Sequence, residues 1–280
     1  DDGMATSIDN EEKNEPSLFK DITADALQPV FKHTENKFDD YKIQILLPHK
    51  LSQLGPFISV ADVNDDGLED FYIGGAHQQS GALYIQSING KFNQKEVLAF
   101  DQDRIYEDMG SCFFDADGDG DNDLYVVSGS TELEAKTNYY QDRLYLNNGK
   151  GDFFESNGLP EILSSGSCVV PADYDQDGDM DLFVGGRVFP NHFPYPTPSY
   201  LLQNDNGQFQ DIAMNTSFEV TMQGMVTSAV WDDIDGDGDE DLITVGEWMP
   251  IKIFENQEGI FFDITAVYGL ENTVGWWNRI

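Results

Sequence analysis

Basic residues are scarce in this chain. Fifteen Lys plus Arg stand against 52 Asp plus Glu in 280 residues, a formal charge of −37. Nucleic acid and anionic membranes both need a basic footprint, so this composition argues against either as a partner. Cysteine is equally rare. Only Cys112 and Cys168 occur, each in a Gly-Ser-Cys triplet, so no disulfide framework holds the fold; whether these two pair is a matter of geometry that spacing does not supply. The four histidines, His33, His49, His77 and His192, fall in no zinc-like or triad-like spacing and read as solvated or satisfied in loops. No apolar run is long enough to span a bilayer, no secretory signal pattern is present, and no glycine loop suited to a phosphate occurs. Residues 1–17 are polar and acidic and read as a disordered leader, with folded repeats expected over 18–280. What remains is 40% hydrophobic and 12% aromatic, enough for a substantial core.

The acids are patterned. Asp-x-[Asp/Asn]-x-Asp-Gly-x-x-Asp occurs four times, at Asp62–Asp70, Asp115–Asp123, Asp173–Asp181 and Asp233–Asp241. Side-chain oxygens at positions 1, 3, 5 and 9 form a cage for a hard cation. They are Asp62, Asn64, Asp66 and Asp70; Asp115, Asp117, Asp119 and Asp123; Asp173, Asp175, Asp177 and Asp181; and Asp233, Asp235, Asp237 and Asp241. Position 7, occupied by Leu68, Asp121, Asp179 and Asp239, contributes a backbone carbonyl, and the glycine at position 6 makes the sharp turn. Six to eight oxygens at flexible geometry suit Ca2+, so four calcium sites are expected. Asn64 supplies one charge fewer than its counterparts. Loops of this kind fill where calcium is millimolar, which points to an extracytoplasmic location at the cell surface, on the outer membrane or in the medium.

These loops are not EF-hands. Position 12 is Ile73, Val126, Val184 and Thr244, none of which replaces a bidentate glutamate. Their flanks are short β-branched and aromatic runs ended by Gly74, Gly129, Gly185 and Gly246, which read as strands, so each loop joins two strands. Turn signals recur in register further on: Asn89-Gly90, Asn148-Gly149, Asn206-Gly207 and Glu258-Gly259, each followed by a phenylalanine. The first aspartates lie 53, 58 and 60 positions apart. Four short strands per repeat at that period predict an all-β fold, a β-propeller of four-stranded blades with calcium-binding hairpin loops. Phe19-Lys20-Asp21-Ile22-Thr23 matches Phe262-Asp263-Ile264-Thr265 and is expected to be the last strand of a repeat, and Gly275–Ile280 reads as the run into another first strand. The repeats are therefore either an excerpt of a larger propeller or a permuted one whose ends complete a blade.

The loop, the Gly74-Gly75-Ala76 that follows it and the Phe-x-Asp-Ile-Thr repeat end resemble the FG-GAP/VCBS repeats of integrin α-chain propellers. Leu47–Gln53 before the first loop, and Gly246-Glu247-Trp248-Met249-Pro250 after the fourth, are similar to bacterial surface proteins of the UnbV/cartilage-acidic-protein type. The resemblance implies a propeller with calcium between the first and second strands of each blade and an exported protein, and the uneven repeat ends lead to the expectation of further domains in a longer chain. It implies no activity, since such repeats serve adhesion, ligand binding and attachment.

Loops at the other end of the blades are longer and more aromatic than a plain connector needs. Arg187, Tyr195, Tyr200, Trp248 and Tyr140 are the expected contacts for a protein or carbohydrate there, with arginine as polar anchor and the rings as platforms. No catalytic constellation stands out. The leading expectation is a non-enzymatic, calcium-stabilised binding or adhesion module of an exported bacterial protein. The alternatives are a polysaccharide-active enzyme or its substrate-binding domain, and a structural spacer.

Overall fold

The computed structural model describes residues 18–280, so the leader expected over 1–17 lies outside the described residues. Four sheets, antiparallel apart from the short β1 of the first, follow one another along the chain. The first contains β1 (Leu27–Gln28), β2 (Ile58–Ala61), β3 (Asp70–Ile73), β4 (Ala82–Gln86) and β5 (Phe92–Lys95). The second contains β6 (Asp108–Phe114), β7 (Asp123–Ser128), β8 (Arg143–Leu146) and β9 (Phe154–Glu155). The third contains β10 (Gly166–Ala172), β11 (Asp181–Gly186), β12 (Tyr200–Asp205) and β13 (Gln208–Asp211). The fourth contains β14 (Met225–Asp232), β15 (Asp241–Met249), β16 (Lys252–Gln257) and β17 (Ile260–Asp263), with β18 (Gly275–Trp276) pairing to β15. Apart from β1, which lies beside β5, and β18, which lies beside β15, strands consecutive in sequence are neighbours within each sheet, and each acidic loop joins the first two strands of such a four-stranded run (β2–β3, β6–β7, β10–β11 and β14–β15). The all-β reading is correct.

Alternation places one set of side chains on each face of a strand, and both faces of the inner sheets are apolar. Tyr72 and Leu83 of the first sheet pack on Leu124, Val126 and Tyr145 of the second. The opposite face of the second sheet, with Phe114, Tyr125 and Leu144, packs on Val169, Leu182 and Leu202 of the third. Phe183 and Leu201 then meet Leu242 and Phe254 of the fourth. The sheets are thus stacked in series with an apolar layer at each junction. First strands lie side by side along one edge of the stack: Ser59 Oγ donates to Ser111 O at 2.8 Å, and Ser167 Oγ donates to Val226 O at 2.7 Å. Cys112 and Cys168 sit on two of these strands and remain free thiols.

The chain ends depart from the sequence reading in an informative way. Phe19–Ile22 lies outside the strands; instead Asp21 Oδ1 accepts the Thr23 N–H at 2.9 Å and a single helical turn, Thr23–Ala26, follows. The motif match was a match of turns, since Asp263 Oδ1 accepts the Thr265 N–H at 3.0 Å in the same way. Leu27–Gln28 then adds to the first sheet, parallel to Phe92–Asn93. At the other end Thr227 Oγ1 donates to Trp277 O at 2.7 Å, the contact that Ser167 makes to Val226. Residues 275–280 therefore sit against the fourth sheet where β14 sits against the third.

Residues 29–56 form a strap that touches all four sheets at the end away from the acidic loops. The Gln79 side chain binds Lys32 O and the Thr34 N–H, and Asn36 Nδ2 donates to Glu132. Phe193 N donates to Gln44 Oε1, and Leu47 and Leu51 are buried with Val188 and Met225. Buried Asp40 pins the strap, accepting the N–H groups of Leu51 and Ser52 and the hydroxyls of Ser52 and Thr131. At the same end, burial and the nearby Glu132 charge push Glu107 up to about 9. An acid with a raised folded-state pKa stabilises the fold fully below its unfolded value, near 4.5, and that contribution is lost as pH rises toward 9. Glu107→Gln should therefore gain at least about 1.4 kcal/mol over the parent at pH 8, one pKa unit's worth, and little at pH 4.5. Urea unfolding at the two pH values measures both.

Candidate metal centres and the face opposite them

All four acidic loops are built alike. The position 1 carboxylate turns back into the loop, where Oδ2 of Asp62, Asp115, Asp173 and Asp233 accepts the N–H of the position 6 glycine at 2.7, 3.0, 3.1 and 3.1 Å. Those glycines have φ of +82, +90, +100 and +98°. A Cβ there would meet nothing within 4 Å, so the left-handed backbone and not crowding demands glycine. At position 5, Asp66, Asp119, Asp177 and Asp237 accept the position 7 N–H at 2.9, 3.0, 3.0 and 3.0 Å.

Position 9 has a second role that spacing does not reveal. Asp70, Asp123, Asp181 and Asp241 open the second strands and are completely or almost completely buried. Their Oδ1 atoms accept third-strand N–H groups, from Gln86, Asn147, Asn204 and Asn256, at 2.7, 2.7, 2.7 and 2.8 Å. In three loops Oδ2 also accepts the position 2 N–H, from Val63, Ala116 and Ile234. Burial pushes Asp123 up to about 7 and Asp181 up to about 8, and neighbouring loop carboxylates add to the rise. Asp70 and Asp241 are raised by the same causes.

Three of these donors are asparagines, Asn147, Asn204 and Asn256, which neither the loop pattern nor the turn signals single out. Each Nδ2 donates to the position 8 carbonyl of its own loop, Asn122, Met180 or Glu240, at 3.1, 3.1 and 3.2 Å. It also donates across the junction to the position 2 carbonyl of the preceding sheet's loop, Val63, Ala116 or Tyr174, at 2.8, 2.8 and 2.7 Å. The signal was present: Tyr145-Leu146-Asn147, Leu202-Gln203-Asn204 and Phe254-Glu255-Asn256 share one pattern, and Gln86 replaces asparagine in the first repeat.

The loops fit a cation. Asp115, Asp117 and Asp123 bring one carboxylate oxygen each within 4.8 Å of one another, as do Asp173, Asp175 and Asp181, and Asp233, Asp235 and Asp241. Asp117 Oδ1, Asp173 Oδ1 and Asp181 Oδ2 are buried with no hydrogen-bond partner. Convergent carboxylate oxygens without donors are costly to bury, and a metal ion is the partner that relieves them. No such acidic triad forms in the first loop among the described residues, because Asn64 takes the place of the third carboxylate.

At the opposite end the expected ligand residues separate. Tyr140 is fully buried and donates to Leu133 O at 3.0 Å, so its ring is not available for stacking. Tyr200 is half-buried, with its hydroxyl 2.8 Å from Ser164 Oγ, and lines a cleft with Phe189 and Pro198. Tyr195 is 68% exposed and Trp248 58% exposed. Arg187 is buried, and its Nη2 donates to Glu247 Oε1 at 2.5 Å. Glu247 precedes Trp248 on β15, so the fold brings the arginine and the tryptophan to one neighbourhood. His49 enters it from the strap, its Nε2 3.5 Å from Glu247 Oε1.

A model of the FG-GAP-like repeat matches residues 62–126 and 115–184. Among solved structures, the chain is similar to an Agrocybe aegerita lectin that recognises non-reducing terminal N-acetylglucosamine, at 22% identity and a TM-score of 0.48. It is similar to the V. cholerae biofilm matrix protein Bap1 at 16% identity and a TM-score of 0.36. It is also similar to RAG in complex with one melted and one unmelted RSS, at 13% identity and a TM-score of 0.41. The matches cover 72%, 74% and 79% of this chain but 49%, 30% and 66% of those chains. No curated protein matches. No helix among the described residues is long and apolar enough to cross a membrane.

Asn204→Ala removes two donated bonds and the one that its Oδ1 accepts from the Gly207 N–H. It leaves buried partners unmet, and should destabilise the protein by about 2–4 kcal/mol. Denaturant unfolding of the metal-loaded protein measures the loss.

Proposed function

We propose that this chain is a calcium-stabilised propeller module of an exported bacterial protein, that it is not an enzyme, and that it binds a protein or carbohydrate on the face opposite its metal loops. The observation that carries the reading is the set of buried, partnerless carboxylate oxygens recurring in loops of one design. The propeller reading is supported by the serial stacking of four-stranded sheets with first strands along one edge. When bound, the ion supplies charge neutralisation. Asp115, Asp117 and Asp123, with their counterparts in the third and fourth loops, would hold it, while the position 9 carboxylates keep the second and third strands in register. Calcium in place of a smaller ion is supported by the number of oxygens each loop offers and by the absence of nitrogen or sulfur donors from its ligand positions.

The strap gives the opposite face its own surface. Ile45 and Leu46 on the strap are exposed, and so are Tyr195 and Trp248 beyond it. Apolar groups gathered on loops of a rigid scaffold suit recognition.

Calcium should raise the melting temperature clearly over chelator, because hundredfold excess over Kd contributes about 2.7 kcal/mol at each site. Calorimetry should resolve three similar sites and a weaker first one. Asn64→Asp should tighten that first site, and Asp175→Ala should remove one ion from the total. A melting temperature indifferent to chelator, with no ions bound, would overturn the calcium reading.

A further inference from the structure

Trp248 is held in a conformation that a bulky side chain rarely adopts. Its φ is +58°, and it bulges from the pairing of β15 with β18 while Glu247 and Met249 on either side point into the protein. Left-handed backbone at a non-glycine residue is strained and persists where the surroundings enforce it. Here the product is an indole placed in solvent. Trp276 meets its edge, the ring centroids 5.6 Å apart at 64°. The His49 ring centroid lies 5.0 Å from that of Trp276. Behind the rings is the Glu247–Arg187 pair, so segments from the strap, the third sheet, β15 and β18 converge on one place.

The polar groups there are incompletely satisfied. Glu247 Oε2, Arg187 Nε and His49 Nδ1 are buried and have no hydrogen-bond partner. Glu247 and Arg187 are themselves more than nine-tenths buried. His49 is held loosely, since its one polar approach is 3.5 Å and its side chain is 33% exposed. Burial lowers its pKa, which keeps the ring neutral at pH 7. One free carboxylate acceptor beside one free guanidinium donor is the complement of a hydroxyl, which donates and accepts at once. The pair carries no net charge, which disfavours an ion as occupant. The two indoles add an apolar platform for a ring with C–H faces.

We propose that Trp248, Trp276 and His49, backed by the Glu247–Arg187 pair, form a subsite for a neutral pyranose unit of a saccharide. The sugar stacks on the indoles, and a hydroxyl turned inward displaces the imidazole and meets Glu247 Oε2 and Arg187 Nε. This displacement breaks no hydrogen bond of ordinary length. The inference rests on the reading of this face as the binding face, and it names the ligand class.

The test is titration of calcium-loaded protein with cellotetraose, laminaritetraose and xylotetraose, followed by tryptophan fluorescence and calorimetry. Choline and tetragalacturonate serve as the cationic and anionic probes. At least one neutral tetrasaccharide should bind, and Trp248→Gly should weaken it tenfold or more while the melting temperature stays level or rises, because glycine relieves the positive φ. His49→Ala tests the same subsite from the strap and should change affinity at least threefold, which decides the matter should the glycine variant fold poorly. Binding of choline or tetragalacturonate alone, no binding of any neutral tetrasaccharide, or undiminished binding by both variants would overturn the proposal. If calcium still stabilises a protein that binds none of the saccharides, the metal reading stands and this subsite falls.

Discussion

A buried carboxylate at the start of every second strand is the constraint on which the rest of the structure depends. Asp70, Asp123, Asp181 and Asp241 are withdrawn from water, yet each is held by N–H groups of its own sheet. An uncompensated buried charge costs far more than a surface one, so these oxygens must find donors or a cation. The third strand supplies a donor to all four and the loop a second to three of them. The asparagine that follows carries the linkage outward, joining a loop to the loop of the sheet before it. Register within a sheet and spacing between sheets are therefore set at the same residues that line the candidate cation sites, so an ion bound at a hairpin would act on the whole stack.

The two ends of the stack consequently have different physics. At the loop end, acidic oxygens converge and backbone N–H groups fix each turn, leaving little freedom for adaptation. At the other end a strap of little regular structure crosses all four sheets, fixed by Asp40 and by a small apolar cluster with Val188 and Met225. Burial there favours the protonated form of Glu107, and Glu247 is paired with Arg187. Loops and strap at this end can vary without disturbing the register that the aspartates impose.

Much of this was legible in the sequence for identifiable reasons. A nine-residue motif repeated four times fixes its own turn, since glycine at position 6 and aspartate at position 1 act within the loop, and the flanking β-branched runs have too few residues for helices. Phe19–Thr23 was misread because the likeness to Phe262–Thr265 belongs to an Asx turn, which forms with or without a partner strand. Tyr140 was misplaced because exposure depends on what packs over a loop, and composition does not report that.

By itself the sequence determined the strand–loop–strand unit, the number of loops and the oxygen donors that each presents, because all of these act within a dozen residues. Only the tertiary structure decided that the position 9 aspartates are buried clips, that Asn147, Asn204 and Asn256 bridge neighbouring sheets, and that the strap carries His49 to Glu247. Those contacts join residues separated by as many as 198 positions, as in the His49–Glu247 approach. Local pattern has no means of recording a separation of that size. It is set by the stacking of sheets, where apolar area buried at each junction outweighs the entropy of closing the chain between them.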